Sequence, residues 1–246
     1  MSLATNVLKS DGRVCKGKKP VVYEALEYEC GFNTTFVRSH SPQAVHELMK
    51  AAASANPTIA QYREAGSCHF FTATRDPRLA VPSKFLEENK DLCDGAKPES
   101  EVLKMYQEFI NGHALQHIFE TTGFLLRAFG SSSITDTLTQ LFDNGGHVVL
   151  NRPSSDAPWA GCELVLLDMA SASTWGDHFM KDILGSGAGP FPREQKHASR
   201  DGLCPNLSKT YESIRNFKVD WETLLEEQDN AQAIEVVKFY ASRDEI

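Results

Sequence analysis

The spacing of apolar residues along the chain changes period several times. From Tyr23 to Ser39 the sequence YEALEYECGFNTTFVRS is rich in aromatic and β-branched side chains, which predicts one extended strand or two. Ser41-Pro42 then offers an N-cap with proline at the first helical position. Behind it Val45, Leu48, Met49 and Ala52 fall at i, i+3, i+4 and i+7, one face of a helix. A second helical stretch runs from Asn56-Pro57 to Ala65, with Gly66 as its stop. Cys68–Asp76 (CHFFTATRD) predicts a strand closed by Asp76-Pro77, and residues 77–100, with Pro77, Pro82, Pro98 and an acidic turn at Glu87–Asp94, predict an inserted loop. Val102–Phe109 (VLKMYQEF) alternates as a strand would, and Asn111-Gly112 is turn chemistry leading into a helix. That helix, His113–Phe129, is amphipathic through Leu115, Ile118, Phe119, Leu125, Leu126 and Phe129. A short helical turn at Leu138–Phe142 and the turn Asp143–Gly146 precede a last strand, His147–Asn151 (HVVLN).

This order, β-α-β-β-α-β, is the ferredoxin-like arrangement, an α+β fold in which two helices cover one face of a four-stranded antiparallel sheet. The open face of such a sheet needs a cover, from a second copy or a second domain. Beyond Ser154 the pattern gives a strand at Cys162–Met169 (CELVLLDM), a helix at Trp175–Leu184, a loop at Gly185–Pro192, a helix at Leu207–Asn216 and a strand at Ile234–Tyr240 (IEVVKFY). These elements suit a divergent second ferredoxin-like unit, although no residue repeat with the first part is visible. The expected organisation is a flexible arm over 1–20, a ferredoxin-like α+β domain over 21–153 and a second, divergent α+β unit over 154–246. Such a chain is either a monomer with pseudo-dimeric halves or a homodimer.

Composition narrows the classes. With 246 residues, 41% hydrophobic and 24% charged, the chain has the profile of an ordinary globular protein of one large domain or two small ones. Twenty-five Lys plus Arg stand against 33 Asp plus Glu, a formal charge of −8 without a long basic stripe, which argues against nucleic acid as a partner. The opening residues carry Lys9, Arg13, Lys16, Lys18 and Lys19 but lack the apolar core of a signal peptide. The longest apolar runs, such as Val148–Leu150 and Leu164–Leu167, fall far short of the ~20 residues that cross a bilayer. Six cysteines (Cys15, Cys30, Cys68, Cys93, Cys162, Cys204) are widely spaced without a C-x-x-C pair, so reduced thiols in a cytoplasmic protein are the plain expectation.

The stretch VLKMYQEFINGHALQHIFETTGFLLRAF, Val102–Phe129, resembles the signature region of the antibiotic-biosynthesis-monooxygenase-like superfamily of dimeric α+β barrels. Glu108, Ala114-Leu115, His117, Gly123-Phe124 and Phe129 take the places of that family's strand–turn–helix pattern, and AGSCHFFTATRDP (Ala65–Pro77) looks like its preceding strand. The resemblance spans about residues 23–151. Two departures stand out: the loop 77–100 is longer than the family's, and Phe109 sits where the family usually has Trp. Haem-degrading members are similar at Asn33. Their Trp is replaced here by Phe109, and their late helical His falls near Ala128. The resemblance implies a ferredoxin-like α+β barrel and an oxidoreductase of secondary metabolism, a monooxygenase acting without a bound cofactor. Its partners would be a small hydrophobic, aromatic or polyketide-like substrate and O2.

Individual residues add candidate chemistry. His113 and His117 are spaced i, i+4 and share a helix face. With a third ligand such as His147 they could hold a metal, but no H-E-x-x-H pattern supports one and none is expected. The resemblance marks His117 as pocket-facing, where a neutral imidazole can act as a base on a phenol or enol; bonding a backbone group is the structural alternative. Asn33 alternates with Phe32 and Thr34 and can donate to a developing anion, or simply supply edge-strand polarity. His113, Tyr106, Phe109, Phe36 and Phe124 are the candidate pocket lining, with core packing as the alternative. Gly185–Pro190 lacks the Lys-Ser/Thr of a phosphate-binding loop, Asp177 and His178 diverge on a helix, and Glu222–Asp229 reads as a solvated acidic face. The same base and pocket would also serve a dehydratase, cyclase or isomerase. A haem or small-ligand binding protein without turnover, or an inert assembly domain, are the readings from other classes.

Overall fold

Strand-forming segments pair into two small sheets, and helices account for most of the remaining described chain. The structure, a computed structural model, describes residues 15–22, 25–30, 34–38, 68–89, 91–92, 97–112, 119–151, 162–171 and 212–243. The first sheet is an antiparallel meander of β1 (Cys15–Val22), β2 (Ala25–Cys30) and β3 (Thr34–Arg38). Its register pairs Lys16 with Glu29 and Lys19 with Glu27. The second sheet has the order β4-β6-β5, with β4 at Cys68–Thr74, β5 at His147–Asn151 and β6 at Cys162–Asp168. Central β6 runs parallel to β4 and antiparallel to β5. The segment is therefore α+β in class, as its sequence pattern implies.

The described helices include, in chain order, α1 (Pro77–Glu88), α2 (Glu99–Asn111), α3 (Glu120–Ala128), α4 (Ile134–Asp143), α5 (Trp221–Glu227) and α6 (Ala231–Arg243). The chain divides into two units, each assembled from two separate stretches: Met1–Thr74 with Thr121–Arg193, and Arg75–Glu120 with Glu194–Ile246. In the first, α3 packs on the second sheet. The Thr72 and Thr122 hydroxyls are 2.9 Å apart, and the rings of Phe70 and Phe129 meet edge to face at 5.5 Å. Helix α4 starts on Ser133, whose hydroxyl accepts from Asp136 N–H, and buries Leu138 and Leu141. It ends in a Schellman motif: Gly146 N–H donates to Leu141 O and Gly145 N–H to Phe142 O, with Gly145 left-handed at φ 73°.

The second unit is a helical core. Phe85 of α1 packs against Tyr106 at 5.2 Å and Phe109 at 5.4 Å, and Tyr106 meets Phe217 at 6.0 Å. Ile110, Ile214, Leu225, Ala233 and Val237 complete the buried cluster. Asp76 caps α1, accepting from Arg78 N–H and forming a two-pronged ion pair with the Arg78 guanidinium, while Pro77 fills the first helical position. At the far end of α2, Gln228 Nε2 donates to Ile110 O at 3.1 Å and Gly112 O at 3.3 Å, satisfying carbonyls that the helix itself leaves open. Lys238 bridges to Glu222 at 3.0 Å, an exposed pair whose hydrogen bond and charge attraction raise the ammonium pKa above its usual value.

Several sequence expectations are corrected by these elements. Val102–Phe109 is helical, because Val102, Tyr106 and Ile110 recur every four residues and bury one face, and Glu99 and Glu101 favour the start of α2. Over eight residues that pattern also passes for alternation. Residues 77–88 form α1 rather than a loop: Pro77 takes the first helical position, and burial of Val81, Pro82, Phe85 and Leu86 outweighs the hydrogen bond lost at Pro82 in the helix interior. The expected strand at Ile234–Tyr240 lies inside α6, whose Ala233, Val236, Val237 and Tyr240 follow the helical period despite two valines. Among the described residues the order from Cys68 to Asn151 is thus β-α-α-α-α-β, and residues 102–109 supply no strand of a ferredoxin-like sheet. Reduced thiols are not found at Cys162, which is disulfide-bonded; wide spacing in sequence did not reveal proximity in space. The helical expectations at 41–65 and 175–184 lie outside the described residues.

Tyr106 is only 1% exposed. Tyr106→Ala should therefore lower unfolding stability by about 3–5 kcal/mol in urea titration, the loss typical of a deleted core aromatic. A change below ~1 kcal/mol would place the ring at an open pocket instead.

Candidate functional site

In sheets with parallel strands, ligands favour the carboxyl ends, where side chains and following loops converge. Strands β4 and β6 end together in register, with Thr74 opposite Asp168. The two residues share the sheet face of Phe70, Thr72, Leu164 and Leu166. Both are buried, Thr74 to 2% and Asp168 to 1% exposure. An apolar strand that ends in a carboxylate explains this arrangement: the run Leu164–Leu167 is drawn into the core and carries Asp168 to its edge.

Asp168 is fixed by the turn that follows it. A single 3-10 turn, Met169–Ser171, brings Ala170 N–H to within 3.3 Å of Oδ1 and the Ser171 hydroxyl to within 3.0 Å of Oδ2, both as donors. The Asp168 N–H donates to Gly146 O at 2.9 Å, tying the start of β5 to the end of β6. Gly146 is left-handed at φ 95°, and a Cβ there would collide with the Ser171 side chain. Across the ladder, Thr74 Oγ1 is buried with no hydrogen-bond partner. A hydroxyl left in this state costs about 1–3 kcal/mol of desolvation. The arrangement is a fixed hydrogen-bond acceptor beside a hydroxyl with its bonding capacity unused, suited to holding a polar group of a bound molecule or a bridging water.

None of these residues was singled out by sequence reasoning. The available signal was modest: an Asp closing a mostly apolar strand, followed three residues later by Ser171.

The sequence-expected site residues fare differently. Asn33, His113 and His117 lie outside the described residues. Phe36 is on β3, in register with Tyr28 of β2. Tyr106 and Phe109 lie on α2, and both rings pack on Phe85 in the helical core. Phe124 is half-buried on α3. Tyr106 and Phe109 are thus brought onto a common neighbour. No group of three or more His, Cys, Asp or Glu among the described residues is placed to hold a metal, and no described helix is long and apolar enough to cross a membrane. A cleft of about 200 Å³ lies between Gln107, Asn111, Lys218, Asp220, Thr223 and Glu227 of the helical unit, small beside typical ligand sites.

Comparison with protein-family models, with curated proteins and with solved structures found no match to this chain.

Two substitutions probe the strand-end site. Thr74→Val removes the unsatisfied hydroxyl at nearly constant volume and should leave stability unchanged or raise it by about 1 kcal/mol, measured by denaturant unfolding. Gly146→Ala should cost more than about 1 kcal/mol, through both the left-handed backbone and the contact with Ser171. Loss of stability in Thr74→Val would mean that its hydroxyl has a partner in solution.

Proposed function

We propose that the chain is an enzyme that takes a small hydrophobic, aromatic or polyketide-like molecule and oxygenates it by base-assisted chemistry without a bound cofactor. The reading is supported by one packing observation. The two segments that resemble the monooxygenase-like superfamily, Ala65–Pro77 and Val102–Phe129, supply β4 and α3, and these pack together through Thr72 with Thr122 and Phe70 with Phe129. The resemblance asks for a helix laid on this strand, although the strand it also asks for at Val102–Phe109 is part of helix α2. From the family the proposal takes the chemistry and this strand–helix pair, without the barrel closure that α2 replaces.

In the proposed reaction His117 removes a proton from a phenol, enol or activated methylene, and Asn33 donates a hydrogen bond to the oxygen on which charge develops. The electron-rich carbon bonds to O2, the resulting peroxide takes back the proton held by His117, and loss of the remaining C–H proton with cleavage of the O–O bond releases water and leaves a carbonyl. One O2 is consumed and one water released per methylene oxidised, so the substrate supplies all the electrons.

The test begins with the small molecule that co-purifies with the protein, or with an aromatic ketone whose methylene lies between two rings as the probe. Wild-type protein should consume O2 in step with product. His117→Ala should slow turnover by about 10²–10⁴-fold, and Asn33→Ala by about 10²–10³-fold. Undiminished conversion in the absence of O2 would assign the protein to dehydratase, cyclase or isomerase chemistry. A Soret band that survives dialysis would assign it to haem binding. If both variants fold and turn over normally, the site assignment fails.

A further inference from the structure

We propose that each sheet is stapled by a disulfide, Cys15 to Cys30 across β1 and β2 and Cys68 to Cys162 across β4 and β6, and that the chain folds in an oxidising compartment. Cys162 is disulfide-bonded and buried, 3% exposed, at the start of the central strand. The strand registers show which cysteines stand beside one another. Cys68 and Cys162 are partners in the parallel ladder, and Cys15 and Cys30 are partners in the antiparallel one. Four of the six cysteines are thereby drawn into two facing pairs, each at an end of its ladder.

The geometry of a sheet permits both bonds. Neighbouring parallel strands lie about 4.7–4.9 Å apart. Opposed antiparallel residues have Cα separations of about 4.5–5.5 Å. Both fall inside the ~4.4–6.8 Å that a disulfide spans. Residues directly opposite one another also share a sheet face, so no change of register is needed to join them. Each bond forms by thiol–disulfide exchange with an oxidised protein dithiol donor: two cysteine thiols lose two protons and two electrons, and the donor's disulfide leaves as a dithiol. Cytosolic thiol pools hold such cysteines reduced, so the oxidised Cys162 argues for an oxidising compartment in place of the cytoplasmic expectation. The Cys68–Cys162 bond would close the whole crossover from β4 to β6, a loop of roughly a hundred residues, the size at which a staple restricts the unfolded chain most. This inference is independent of the proposed oxygenase activity.

The test is disulfide mapping on the full chain, made through a secretory host and purified without reductant. After blocking of free thiols in denaturant, non-reducing digestion and mass spectrometry should yield a peptide carrying Cys68 joined to one carrying Cys162, and Cys15 joined to Cys30. Cys162 joined to another cysteine, or any of the four recovered as a blocked thiol, overturns the pairing. Full reduction should lower the melting temperature by about 10 °C. A cytosolic preparation with all its thiols available and an unchanged melting temperature overturns the compartment inference.

Discussion

Strand β6 has a partner on each edge and apolar side chains on each face. Leu164 and Leu166 are buried on one side, and Val165 and Leu167 lie with Phe71 on the other. Each such side chain is worth about 1.5–3 kcal/mol once removed from water, and that term is realised only when β4, β5 and their covering helix are all in place. The rest of the described sheet unit follows from this demand. Helix α3 lies on β4 through Phe70 and Phe129, and α4 delivers the chain through its Schellman turn directly to the first residue of β5. Asp168 marks the point where the apolar run stops and the polar edge begins.

At that edge, burial and polarity meet in a small volume. The Asp168 carboxylate is held by two donors from its own following turn, and Gly146 allows that turn to lie close. Thr74 remains out of balance, since natural interiors seldom leave a hydroxyl without a partner. The proposed catalytic pair, His117 and Asn33, comes from resemblance, whereas the strand-end constellation comes from geometry. Strand β4 belongs to both, since it lies in the segment of resemblance and ends in Thr74.

Legibility in the sequence followed how many residues each element uses to declare itself. The strands at Cys68–Thr74, His147–Asn151 and Cys162–Asp168 and the helix through Phe124 were readable because apolar residues there are dense and bounded by turn chemistry. The region 77–111 misled because its prolines look like loop markers, whereas Pro77 starts a helix, and because an eight-residue window of α2 fits either period. The valines of Ile234–Tyr240 misled for a related reason: β-branched residues favour strands on average, but packing of Ala233 and Val237 into the helical core overrides that preference. The strand-end site was not legible. Thr74 and Asp168 are far apart in sequence and become neighbours only through the parallel pairing of β4 with β6.

The Gln228 side chain, bonded to the last carbonyls of α2, has a consequence for how the protein is made. The helical unit draws on both Arg75–Glu120 and Glu194–Ile246, so its core cannot close before the second stretch has left the ribosome. The sheet unit is interrupted in the same way, with β4 waiting for β6. Until then the nascent chain must carry the apolar faces of α1 and α2 unsealed. Its period of greatest exposure to aggregation therefore lies at birth, and closes only when α5 and α6 emerge.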